Sequence, residues 1–290
     1  MIFLGVNDMR DKRVKNVNGL NQIMIDIKPN RCDSDVYINQ KIDVTNLVEY
    51  MEKIKKNNKD LTYFHAFMTA LGILFYNRKK LNYYVRNRHL YEHKDIVISF
   101  VAKISFDDKS EEVMLLIPIS KDDNIFKVSE KIKSKIDKLR NKDRSFNKNG
   151  ANSAIDILGK LPNILRIPTV GILKYFDKIG ILPSSLVKDN LYYSSLIVSN
   201  LGSIKCDAIY HNITNFGTCS GLISIGEIKD EEVIIDGKKQ IRKMCEFGVN
   251  LDERIADGFY FVKSLKLLEY ILDNPKLLED NCSNIINIEK

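Results

Sequence analysis

Tryptophan is absent from this 290-residue chain, and cysteine, histidine and proline are scarce, at five, four and six residues. The cysteines, at positions 32, 206, 219, 245 and 282, are odd in number and form no CxxC pair. That pattern argues against a zinc site and against the disulfide framework of a secreted domain. No metal is expected. Long apolar runs are missing too. The stretch LPNILRIPTVGILKYFDKIGILP (161–183) is broken by charges and prolines and does not read as a membrane span. The start, MIFLGVNDMRDKR, has too short an apolar run and the wrong charge order for a signal peptide. These absences together predict a cytoplasmic protein with no membrane contact.

Charge of one sign is only mildly in excess: 45 Lys and Arg against 38 Asp and Glu give a net +7, spread along the chain. The densest run, KIKSKIDKLRNKDR (131–144), contains acids and carries apolar residues at 132, 136 and 139. It reads as the solvated face of an amphipathic helix, and no nucleic-acid partner is expected. A mild positive field would suit a phosphate-bearing cofactor. A hydrophobic content of 44% in a chain this long suffices for a substantial core.

Apolar residues at helical spacing predict helices over 45–57 and 62–78, each opening on a threonine able to cap the first free N–H groups. Strands are predicted at 95–106 and 112–119, joined by the polar turn DDKSE, and a helix at 124–142. The stretch 143–190 is less regular, with a Gly-Ala-Asn tract and several prolines. Strands return at 192–199, 221–228, 232–236 and 240–249, and a last helix occupies 259–273. With no internal repeat and no flexible linker, residues 1–290 read as one mixed α/β domain.

Two motifs stand in order: SNLGSI (199–204) closes an apolar strand, and about fifty residues later comes LDERIADG (251–258). Between them lies the strand pair GLISIGEIKDEEVIIDGKKQIRKM. Upstream stand DVTNLVEYMEKIKK, LTYFHAFMTALGILFYNRKKLNYYV and YEHKDIVISFVAKIS. This ordered set resembles the catalytic domain of the dihydrolipoyl acyltransferases of 2-oxo acid dehydrogenase complexes and, through them, chloramphenicol acetyltransferase. The resemblance implies a two-layer α/β sandwich with a mixed sheet, assembled as a homotrimer with the active site between neighbouring subunits. It implies acyl transfer between coenzyme A and a small-molecule thiol or hydroxyl acceptor. The lipoyl-bearing and peripheral-subunit-binding modules of complete acyltransferase subunits have no counterpart in the sequence, and no lipoyl group is expected on it.

The family signature is a histidine, any three residues, then Asp-Gly; the histidine is the base, and the aspartate pairs with an arginine near the N-terminus. Carried over by residue, Asp257 and Gly258 match the Asp-Gly, and Ser199 matches a serine that donates to the tetrahedral oxyanion. Arg10 or Arg13 is the arginine candidate. Glu253 occupies the place of the histidine. Read without the family, Asp257 is an N-cap one residue before a helix, and Ser199 is a turn residue at a strand end.

The exchange at Glu253 has a calculable cost. A thiol of pKa ~8.5 giving its proton to an ordinary glutamate at ~4.3 moves uphill by about 6 kcal/mol, against about 3 kcal/mol for histidine. The difference is about a hundredfold in rate if all of it reaches the barrier. A dry site or a neighbouring carboxylate such as Asp257 would narrow the gap. Two readings therefore remain: an acyltransferase with Glu253 as base, or a catalytically inactive trimer that binds a ligand or partner through the old channel. His211 is a candidate surrogate base and Cys219 a candidate nucleophile, while His65, His89 and His93 read as structural or exposed.

Overall fold

The computed structural model describes residues 11–103, 112–140 and 157–288. In chain order the strands are β1 (Lys12–Arg13), β2 (Asp35–Asp43), β3 (Tyr83–Arg86), β4 (His89–Glu92), β5 (Ile96–Lys103), β6 (Glu112–Ile119), β7 (Leu196–Asn200), β8 (Gly221–Ile225), β9 (Lys229–Ile235) and β10 (Lys238–Asp252). The helices are α1 (Gly19–Ile27), α2 (Thr45–Ile54), α3 (Tyr63–Asn77), α4 (Ile125–Arg140), α5 (Asn163–Ile179), α6 (Ser184–Val187) and α7 (Gly258–Asp273). One sheet runs β2-β10-β8-β7-β5-β6, with β9 pairing on β10, and a small sheet runs β1-β4-β3. The large sheet is mixed: β5–β7 and β7–β8 are parallel, and the other pairs are antiparallel.

Alternation along β10 explains the layering. Cys245, Phe247, Val249 and Leu251 join the main core with α2, α3, α4 and α7, because successive side chains on a strand point to opposite faces. α3 lies deepest, with every residue from His65 to Phe75 buried. Gly248, Asn250 and Asp252 face the other way, where residues 207–213 cross the sheet as a strap. A Cβ on Gly248 would stand 2.6 Å from the Ile209 carbonyl oxygen, and one on Gly226 would stand 2.8 Å from the Ala208 nitrogen. Only glycine admits so close a backbone approach at these two positions. The Asn250 amide then donates to the His211 carbonyl and pins the strap.

Several expectations change in detail. Thr62 caps α3 as predicted, accepting from His65 N at 3.4 Å while His65 Nδ1 accepts from Thr62 N at 3.2 Å. Thr45 does not cap α2: Asp43 Oδ1 accepts from Thr45 N at 2.9 Å, and the threonine hydroxyl accepts from Lys243 N. The turn DDKSE lies outside the described residues. The irregular stretch contains the 17-residue helix α5, with Pro168 inside it. Pro168, at the sixth helical position and past the free N–H groups of the first turn, and Gly171 hid it, since an interior proline removes one backbone bond of the helix. α1, β2 and the β3–β4 hairpin had no sequence assignment. No helix among the described residues is long and apolar enough to cross a membrane.

His65 gives the fold a pH dependence. Burial, aided by Lys133, pushes its pKa down to about 4. The folded state therefore holds it neutral, while the unfolded chain protonates near ~6.5. Stability should be full above ~6.5 and fall by up to ~3 kcal/mol as pH drops towards 4. His65→Gln keeps an acceptor at the third helical position and removes the titration. Chemical denaturation between pH 7 and 4 should show a flatter profile for this variant; an unchanged slope would exclude His65 as its source.

Candidate active site

The turn at 252–258 follows directly from β10, and its charged residues separate into distinct environments. Asp252 is wholly buried. Its carboxylate takes two charge-assisted bonds from Arg254, from Nε at 2.8 Å and from the terminal nitrogen at 2.7 Å. Arg31, also buried, stands 3.7 Å away through Nε and gives its other nitrogens to the carbonyls of Thr214 (2.7 Å) and Gly217 (3.1 Å). Arg254 reaches on to the Lys28 carbonyl at 3.1 Å. Burial lowers the Arg31 pKa, and Asp252 opposes the shift. One carboxylate thus sits between two guanidiniums inside the protein, and its own buried charge is made tolerable by theirs.

Glu253 stands on the next residue, turned outward. Its backbone N–H donates to Ser34 at 2.9 Å, and its carboxylate, with about 30% of the side chain exposed, pairs with Lys28. Asp257 is exposed and does what a cap does: its Oδ1 accepts from Tyr260 N at 2.8 Å, opening α7. Neither Arg254 nor Arg13 pairs with it. Arg254 belongs to Asp252, and Arg13 lies on β1 against His89 at 3.0 Å. Arg10 lies outside the described residues.

Ser199 sits near the end of β7, half-buried, in register with Ser224 of β8, which is in register with Gly248 of β10. Glu253 is five residues further along and two strands across. At ~3.3 Å per residue and ~4.8 Å per strand, the two lie roughly 19 Å apart. The single chain therefore does not bring Ser199 and Glu253 together. It does bring Glu253 together with Lys28, a residue that the sequence reading missed because 225 positions separate the pair.

The surrogate candidates fare differently. Cys219 is buried, and burial raises its thiol pKa while it donates to the Gly221 carbonyl at 3.1 Å. A nucleophilic thiol needs the opposite environment. His211 is half-buried on the strap, with no hydrogen-bond partner for Nε2 among the described residues. His93 is buried beside Asp11 at 3.6 Å, and His65 is a helix-cap residue, so both are structural. Among the described residues, no group of three or more His, Cys, Asp or Glu could hold a metal ion.

Residues 184–279 match the family model of the 2-oxoacid dehydrogenases acyltransferase (catalytic domain). A curated relative, the dihydrolipoyllysine-residue succinyltransferase component of the 2-oxoglutarate dehydrogenase complex from Rickettsia conorii, is 34% identical over 59 residues. That stretch is 20% of this chain and only 15% of the relative. A probable dihydrolipoamide acetyltransferase from Listeria monocytogenes superposes with a TM-score of 0.60 at 18% identity, covering 91% of this chain and 95% of that one. The dihydrolipoamide acetyltransferase of Azotobacter vinelandii, studied for a serine, a histidine and an asparagine in its catalytic mechanism, gives 0.59 at 16%, covering 91% and 93%. A chloramphenicol acetyltransferase gives 0.51 at 10%, covering 91% and 98%. The fold is thus that of the dihydrolipoamide acyltransferase cores and of chloramphenicol acetyltransferase, as the sequence resemblance implied.

The separation of roles in the turn is measurable. Asp252→Asn leaves two buried guanidiniums short of a counter-charge and should destabilise by ~3–5 kcal/mol. Asp257→Ala should cost ~1 kcal/mol and Asp257→Asn less, since asparagine keeps a capping oxygen. Urea denaturation that ranks Asp257→Ala as costly as Asp252→Asn would contradict this division.

Proposed function

We propose that this chain, folded as an acyltransferase catalytic domain, transfers an acyl group between coenzyme A and a small thiol or hydroxyl acceptor, working as a homotrimer. The observation that carries the reading is the environment of Glu253. Of the three carboxylates in the turn, Asp252 is sealed in an ion pair and Asp257 caps a helix, which leaves Glu253 able to meet a substrate.

In the proposed reaction the acceptor's S–H or O–H gives its proton to Glu253 as its sulfur or oxygen attacks the thioester carbonyl carbon. The Ser199 hydroxyl donates to the oxyanion. Collapse breaks the C–S bond, and the protonated Glu253 returns the proton to the departing thiolate. Lys28 positions the carboxylate before substrate arrives. The ~19 Å between Ser199 and Glu253 in one chain favours a site completed by a second copy. Exposed apolar side chains supply surface for such an assembly: Leu20, Ile23 and Ile27 on α1, and Ile164, Leu165, Ile167 and Ile172 on α5. The ion pair between Glu253 and Lys28 favours a second reading, a non-catalytic trimer that binds a ligand or partner, because the carboxylate already has a cationic partner.

Light scattering should give a mass near three times the 33.4 kDa of the chain. A monomer at micromolar concentration would overturn the shared site.

Thiol release from acetyl-coenzyme A, measured with a panel of thiol and alcohol acceptors, separates the two readings. Glu253→Gln should abolish most turnover, and Glu253→His should retain or increase it. Ser199→Ala should lower turnover ~10²–10³-fold with little change in substrate binding. Equal turnover by wild type and Glu253→Gln would exclude Glu253 as the base. No turnover by wild type or Glu253→His would favour the binding protein.

A further inference from the structure

A cleft of about 280 Å³ lies among the α1–β2 loop, the β3–β4 hairpin, α5 and the turn after β10. Six cations line it: Arg31, Arg86, Arg88, Lys174, Lys178 and Arg254. Asp177 is the single carboxylate among the described residues of the lining, and it is already engaged, accepting from the Tyr193 hydroxyl at 2.6 Å and from Gly217 N at 2.8 Å. Asp252 is held by Arg254 and Arg31, and Asp26 faces Arg88 at 3.5 Å. Lys174 and Lys178 have no carboxylate within ion-pair distance among the described residues. They stand four residues apart on α5, where like charges repel. The two lysines therefore bring positive charge to the lining without a counter-charge among the described residues.

The arginine side of this lining is held in place before any ligand arrives. Arg31 is tied to two carbonyls and Arg254 to Asp252. The hairpin carrying Arg86 and Arg88 turns through Asn87 and Arg88 at φ 46° and 63°, and Gln22 donates to the Arg88 carbonyl at 3.3 Å. A preorganised cleft rich in guanidinium is suited to an oxyanion that accepts several charge-assisted bonds at once.

We propose that this cleft binds a phosphate ester. Its volume of about 280 Å³ lies just below that of drug-sized ligand sites, ~300–1,000 Å³, and suits a phosphoryl group with a short attachment. Neither Ser199, Glu253 nor Asp257 lines it, so phosphate recognition and acyl transfer are separable, although Arg254 joins the cleft to the turn. The phosphate belongs either to the acyl donor or to an independent phosphorylated ligand.

The test is calorimetric titration of the full chain with inorganic pyrophosphate at fixed ionic strength. Saturable binding is expected, weakened at least tenfold by Lys174→Glu with Lys178→Glu and less by the corresponding glutamine pair. Lys266→Glu, exposed on α7, should leave it unchanged. Matching melting temperatures for these variants exclude misfolding as the cause, and the milder glutamine pair keeps the test valid if the charge reversal unfolds α5. Displacement of pyrophosphate by coenzyme A assigns the cleft to the donor's phosphates; its persistence at saturating coenzyme A assigns an independent ligand. Absence of saturable binding, or equal weakening by Lys266→Glu, would overturn the proposal.

Discussion

The turn after β10 depends on one buried carboxylate. Asp252 has no solvent contact, so its charge is tolerable only because Arg254 and Arg31 neutralise it. Each arginine then carries the constraint outward. Arg31 fixes the loop after α1 against the carbonyls of residues 214 and 217, and Arg254 fixes the Lys28 carbonyl. Three segments distant in sequence are thereby held around the end of one strand. Glu253, between the two residues of the innermost pair, has its backbone fixed and its side chain turned outward beside Lys28.

The sheet has two unlike faces, and the second one shapes the site. Its first face is sealed by the helical layer. The second is crossed by a strap that approaches β8 and β10 too closely for any Cβ at Gly226 or Gly248. Ser199 lies towards one end of that face and Glu253 beyond the other, a separation that backbone geometry alone imposes. The proposed reaction would join them through a second copy, for which the unburied apolar residues of α1 and α5 offer surface.

In the proposed reaction, glutamate at position 253 differs from histidine less in reach than in proton affinity. The deficit of ~3 kcal/mol for an ordinary glutamate is of the size that water exclusion in a closed assembly can offset. In the single chain Glu253 is about one-third exposed and faces an ammonium, while Asp257, whose nearness the sequence suggested as a perturbing charge, is directed to the backbone of α7. Any drying of this site must therefore come from what packs over it.

The sequence by itself determined the elements whose signals are local. Thr62 and Asp257 cap the helices that follow them, the strands from 96 to 119 alternate as half-buried strands do, and the ordered motifs at 199–204 and 251–258 mark the fold. It did not reveal α5, because Pro168 and Gly171 weaken the local helical signal while packing of Leu173 and Phe176 on Leu182, Val187 and Tyr193 restores it. Nor did it reveal the partners of the charged turn. Arg31 and Lys28 lie more than two hundred residues before Asp252 and Glu253, and no periodicity links residues so far apart. Which acid is buried, which caps and which faces outward was decided only when β2 and β10 paired and brought residues 28–35 beside 252–254, since burial and counter-charge are properties of the packed chain.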